Sequence, residues 1–162
     1  MSILQMEVPM SVEAKLTELG IELPAPPKPA GNYVGGVQVG NLLFMSGCGP
    51  SLPEGGSITG KVGSDLSVED GYGAARQVGI NMLANVKAQI GDLDRVKRVV
   101  KVLGMVNAVL DFKEHPKVIN GFSDLMVEIF GDNGRGGRSA VGMGSLPFQI
   151  AVEVEMILEI AD

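Results

Sequence analysis

The chain has 162 residues, enough for one domain with a sizeable core, and 45% of them are hydrophobic, which argues against disorder. A formal net charge of −6 argues against a general affinity for nucleic acid or anionic membranes, because phosphate binding needs clustered Lys and Arg. Cys48 is the single cysteine, so no intrachain disulfide can form and a reducing, cytoplasmic setting is expected. No apolar run approaches the roughly 20 residues that span a bilayer.

The first residues, MSILQMEVPM, have no positive region ahead of their apolar positions and do not read as a signal peptide. SVEAKLTELG, residues 11–20, predicts a short helix. Ser11 can cap it, Val12, Leu16 and Leu19 recur at helical spacing, and Gly20 stands where a C-terminal cap belongs. IELPAPPKPAG follows and reads as an extended connector. Residues 1–30 thus form an N-terminal helix and Pro-rich connector ahead of a domain at 31–162.

Asn32 to Gly47 predicts a hairpin with Gly40-Asn41 at its turn, and a short strand is expected around Ile58–Val62. Ser67 and Asp70 have capping-box spacing at the start of a long helix. Its apolar face runs through Ala75, Val78, Met82, Val86 and Ile90, and Gly91 ends it. Gly71, Gly73 and Gly79 each weaken that helix by roughly 1 kcal/mol relative to Ala, so they imply close packing against a neighbour. RVVKVLGMVNA, residues 98–108, is β-rich. A second helix follows, with Pro116 in its first turn and an apolar stripe through Val118, Ile119, Phe122, Leu125, Met126 and Ile129.

The C-terminal stretch is the most patterned. A short glycine-broken strand opens on Arg138. After Ser145-Leu146-Pro147, apolar residues take every second position from Phe148 to Ile160, with Glu153, Glu155 and Glu159 on the other face. The order of elements predicts an α+β domain: a mixed sheet of about six strands, two long helices on one face, and the short N-terminal helix. The second sheet face is apolar enough to need covering, and self-association would cover it.

Several motifs admit only modest readings. GDNGRGG, residues 131–137, follows a helix and precedes a strand, which is the wrong context for a phosphate loop, so it reads as a flexible turn. His115 is the single histidine and reads as an exposed residue at a helix start rather than a zinc ligand or catalyst. Cys48 reads as a small buried apolar residue. No Gly-x-Ser-x-Gly elbow is present. Arg138 and Glu153 lie on successive strands. Either they form a structural salt bridge, or Arg138 offers its guanidinium fork to a substrate carboxylate while Glu153 positions water or moves protons.

Arg138-Ser139-x-Val141, Leu146-Pro147 and Val152-Glu153-Val154-Glu155 together resemble the C-terminal signature of the reactive intermediate deaminase (Rid, YjgF-type) family. Gly31-Asn32-Tyr33, Gly40-Asn41-Leu42 and Ser46-Gly47 resemble its first hairpin, and Val118 to Phe122 lies where the family carries a helix with a site Asn. The resemblance covers roughly residues 28 to 160. The extra N-terminal helix marks a branch labelled endoribonuclease or chorismate-mutase-like.

The resemblance implies a chorismate-mutase-like fold and a homotrimer with three clefts between subunits. It implies cofactor-free hydrolysis of reactive enamines or imines, such as 2-aminoacrylate and 2-iminopropionate, to 2-keto acids and ammonia. Arg138 would hold the substrate carboxylate, Glu153 would orient water or assist proton transfer, and Tyr33 would be a donor. Asn120 would line the cleft, with backbone contacts from Ser46 and Gly47. Ala140 departs from the Cys of many relatives, which bears on activity and substrate preference. Gly35 replaces a larger polar residue. The competing readings are a non-catalytic trimer that binds small carboxylates, an endoribonuclease, which the acidic charge opposes, and, weakest, a chorismate mutase.

Overall fold

A computed structural model describes residues 10–26 and 28–162. The reading of the first residues as lacking a signal peptide therefore falls mostly outside the described residues. Ser11 caps helix α1 (Val12–Glu18) through a bond from the Ala14 N–H. Strands β1 (Gly36–Val39) and β2 (Leu42–Cys48) form the expected hairpin, with Val39 paired to Leu42 across Gly40-Asn41. Gly40 supplies the positive φ, 59°, that such a tight turn requires. Helix α2 (Val68–Ile90) starts on a reciprocal capping box between Ser67 and Asp70. Strand β3 (Val96–Asn107), helix α3 (His115–Phe130), strand β4 (Gly137–Met143) and strand β5 (Val152–Ile160) complete the chain.

Among the described residues the sheet has five strands in the order β1-β2-β5-β3-β4, with β3 and β4 parallel and the other pairs antiparallel. The strand expected around Ile58–Val62 is reduced to isolated bridges from Thr59 to Ile150 and from Val62 to Leu66 and Ala108. Gly60, at a φ of 123°, breaks the extended backbone between them. β5 is shorter than its alternation suggests. It begins at Val152, because Phe148 and Gln149 lie in a tight turn rather than in the strand.

Two parallel crossovers explain the topology. Helix α2 links β2 to β3, and α3 links β3 to β4; parallel neighbours need such long connections. The last strand, β5, enters the gap left by the first crossover and becomes the centre of the sheet. Its Val152, Val154, Met156, Leu158 and Ile160 are buried against the helices. α1 adds Val12 and Leu16 to the same core and is tied to it by the Val12 N–H donating to Asp94 (2.7 Å). The opposite sheet face is uncovered in the single chain, leaving Val37, Phe44 and Val141 exposed.

The two long helices approach closely. A Cβ at Gly121 would run into the Tyr72 carbonyl, and one at Gly79 would sit 2.8 Å from a Leu125 methyl. Across this contact Arg76 makes a two-point pair with Glu128 (3.1 and 2.8 Å), and the Tyr72 hydroxyl donates to Asp124 (2.8 Å). Of the α2 glycines, Gly71 and Gly79 answer to close packing, whereas Gly73 faces open space. Gly121→Ala should therefore lose about 3 kcal/mol of stability through overpacking. Gly73→Ala should gain about 1 kcal/mol of helix propensity. Denaturant unfolding of the two variants checks both signs.

Candidate functional site

The β2–β5 ladder is interrupted between Met45 and Cys48, and this bulge brings Ser46 and Gly47 beside Glu153. Any side chain at Gly47 would overlap the Glu153 carboxylate, so glycine is what leaves the carboxylate room. The Ser46 hydroxyl donates to the Val34 carbonyl (2.6 Å), and the Ser46 N–H donates to the Gly35 carbonyl (3.0 Å). These bonds fix the segment that carries Tyr33. The Tyr33 oxygen accepts from the Ala30 N–H (3.2 Å), and its own proton is donated to no described residue.

Tyr33, Ser46, Gly47 and Glu153 thus line one open cavity of about 420 Å³, within the range typical of small-molecule sites. Cys48, Asn85 and Phe148 line it too. Glu153 is half-buried and makes no ion pair among the described residues. Burial, and secondarily the charge of Glu155, push its pKa up. The Cys48 thiol is buried, and that burial together with the Glu153 charge pushes its pKa up to about 12. It stays protonated at neutral pH and is no nucleophile, in keeping with its reading as a buried apolar residue.

Arg138 lies elsewhere. It pairs with Val102 of β3, whereas Glu153 pairs with Met105. Val102 and Met105 have opposite parity on one strand, so Arg138 and Glu153 project from opposite faces of the sheet, with β3 between their strands. The intrachain salt bridge considered from sequence is therefore ruled out. Adjacency in sequence misled because β3 inserts between β4 and β5. On the helix side, one Arg138 nitrogen donates to Asn120 Oδ1 (2.8 Å) and Ser123 Oγ (3.1 Å), and the other reaches the Pro116 carbonyl (3.5 Å). Ala140 shares that face and sits opposite Gly104, against which Ile119 packs. Arg138 and Asn120 also line a recess of about 240 Å³.

Seven site residues expected from sequence therefore fall into two groups, Tyr33, Ser46, Gly47 and Glu153 in one, Arg138, Asn120 and Ala140 in the other. Sequence reasoning overlooked Ser123, although its i+3 spacing from Asn120 places both on one helix face. Asn85, on the long helix, had no local signal. His115 is partly buried rather than exposed: its ring lies edge-on to Phe112 (5.0 Å between centroids) and fills the space beside Gly142. Gly131–Gly134 form a 3-10 turn, as the reading of a turn expected, with Gly134 pressed on the Met126 carbonyl. Among the described residues, no group of three or more His, Cys, Asp or Glu is placed to hold a metal, and no helix is long and apolar enough to cross a membrane.

A mixed sheet with helices packed on one face makes this a small single-domain α+β protein. The chain belongs to the family described as "YjgF/chorismate mutase-like, putative endoribonuclease", whose model matches residues 13–160. It is 46% identical to protein TCP17 of Trypanosoma cruzi over 92% of this chain and 94% of that one. It is 31% identical to a 2-iminobutanoate/2-iminopropanoate deaminase of Dermatophagoides farinae over 86% of this chain and 94% of that one. A crystal structure of a protein of unknown function from Agrobacterium tumefaciens superimposes with a TM-score of 0.86 at 43% identity, covering 93% of this chain and 92% of that one.

The raised Glu153 pKa has a consequence for stability. The folded state binds this proton more tightly than the unfolded chain, so the contribution is favourable below the ordinary glutamate range and is lost as pH rises through the folded value. Glu153→Gln should melt at a higher temperature than the wild type at neutral pH, and the two curves should converge near pH ~4. Thermal melts across that range measure the difference.

Proposed function

We propose that the protein is an imine or enamine deaminase that acts on 2-aminoacrylate or 2-iminopropionate-type compounds at a cleft between subunits. The observation that carries this reading is Glu153: a half-buried carboxylate with raised proton affinity and no cation partner among the described residues, facing an open cavity that Tyr33 also lines. Such a group suits transfer of a proton from water and back. The name of the mite relative, a 2-iminobutanoate/2-iminopropanoate deaminase, points the same way.

In the proposed reaction the substrate is the protonated imine of a 2-keto acid. Water adds to the imine carbon as Glu153 takes one of its protons, giving a carbinolamine. Glu153 passes that proton to nitrogen, the C–N bond breaks, and ammonia leaves as the hydroxyl gives its proton back to Glu153 and becomes the carbonyl of the 2-keto acid. Tyr33 donates to the polar head of the substrate. The iminium carbon is already electrophilic, so placement of water against fixed groups supplies much of the rate.

Arg138 is the carboxylate anchor in this scheme. Asn120 and Ser123 are neutral acceptors and do not cancel its charge, while Asp124 in the same recess is engaged by Tyr72. Because Arg138 and Glu153 face away from each other in one chain, both can meet one substrate only if a second copy supplies one of them. A homotrimer meets that need and covers the open sheet face. RNA cleavage is less well supported, since among the described residues Lys28 is the one cation lining the Glu153 cavity.

Ammonia release from freshly generated 2-iminopropionate tests the proposal. The wild type should accelerate it, and Arg138→Ala should lose at least tenfold in kcat/KM, about 1.4 kcal/mol of transition-state stabilisation. Arg138→Lys should fall as well, because a point charge does not reproduce the planar fork. Binding of 2-ketobutyrate without any acceleration would favour a non-catalytic carboxylate-binding protein instead.

A further inference from the structure

The turn between β4 and β5 holds a conformation that its residues do not favour. Phe148 (φ 55°, ψ 17°) and Gln149 (φ 57°) are consecutive non-glycine residues in the left-handed region. A bulky residue there is strained, and such strain persists only where the surroundings dictate it. The surroundings do so. Leu146 and Ile150 are buried on either side. The Gln149 N–H donates to the Leu146 carbonyl (3.0 Å), the Ile150 N–H to the Pro147 carbonyl (3.2 Å), and the Gly60 N–H to the Gln149 carbonyl (2.9 Å). Lys61 donates to the Gly144 carbonyl and to the buried Asn107, both at 2.8 Å, fixing the start of the loop.

The effect of this fixed backbone is to hold the Phe148 ring out of the core. It is 82% exposed, yet it lines the Glu153 cavity. The cavity mixes two kinds of lining. Ser46, Asn85 and Glu153 bring polar groups, and Phe148, Pro147 and Ile150 bring apolar surface. A site of this make-up fits a ligand with a charged head and an apolar tail.

The geometry points to Phe148 as a specificity-determining residue that selects imines of amino acids with large apolar side chains, such as leucine, methionine and phenylalanine, over that of alanine. This inference rests on the deaminase reading of the same cavity and names its substrate class. Added methylenes in an apolar pocket each change discrimination by roughly tenfold or more. The wild type should therefore prefer the leucine-derived imine to the alanine-derived imine by at least about tenfold in kcat/KM.

Phe148→Ala should reduce that preference at least fivefold, and Phe148→Leu, which keeps apolar bulk, should retain most of it. Calorimetric binding of 4-methyl-2-oxopentanoate and pyruvate, the two product keto acids, gives the same ratio without turnover. The expected result is tighter binding of the branched acid, with the preference lost in Phe148→Ala. If imines are turned over but the ratio is unchanged in Phe148→Ala, the inference about Phe148 is overturned and the deaminase reading stands. A change in oligomer mass with an unchanged ratio overturns it in the same way, by making Phe148 a subunit contact. If neither imine is turned over and neither keto acid binds, both readings are overturned.

Discussion

The central constraint on this molecule is a carboxylate placed where none of the described residues neutralises it. Glu153 sits on the middle strand of the sheet, partly shielded from water, with Glu155 adding like charge on the same face. Taking a carboxylate from water without a partner is unfavourable, and the neighbouring structure accommodates it instead of relieving it. The β2 bulge and the bare Cα of Gly47 leave space for the carboxylate, and the Ser46 bonds bring the Tyr33 segment alongside. A packed aliphatic residue would be the stabilising choice at this position. An acid at this position is the reason the proposed reaction is placed in this cavity.

Much of the frame that creates this position was legible from local pattern. The Ser67–Asp70 box, Gly40-Asn41 and the alternation from Val152 to Ile160 are each decided by neighbours in sequence, and the structure has all three. What depended on tertiary context was not legible. Alternation ran on to Phe148, but period-two spacing cannot distinguish a strand from a turn that enters it with apolar anchors at Leu146 and Ile150. The strand expected at Ile58–Val62 was weakened by Gly60, whose positive φ shows only in three dimensions. The arrangement of Arg138 and Glu153 depended on sheet order, and no local signal told that β3 would separate their strands. Ser123 could have been found, because a helix brings it onto the face of Asn120.

The two sheet faces divide the proposed work. On the helix side, Arg138 is fixed by Asn120 and Ser123 before any ligand arrives, so its fork is oriented at little further entropic cost. On the open side lies Glu153, next to an apolar surface that includes Phe44 and Val141. In the proposed assembly that surface is covered by a second copy, which also brings the anchor to the acid. Packing and catalysis would then share one interface, and loss of the oligomer would abolish the site without altering any side chain in it.

Mixing two variants, each of which the account expects to be strongly impaired, tests it most directly. Arg138→Ala and Glu153→Gln are each purified, unfolded, combined in equal amounts and refolded together. If each site takes its arginine and its glutamate from different chains, random assembly restores roughly a quarter of the intact sites, and deaminase activity should return to about that fraction of the wild type. Mixed oligomers that form but remain inactive would contradict it.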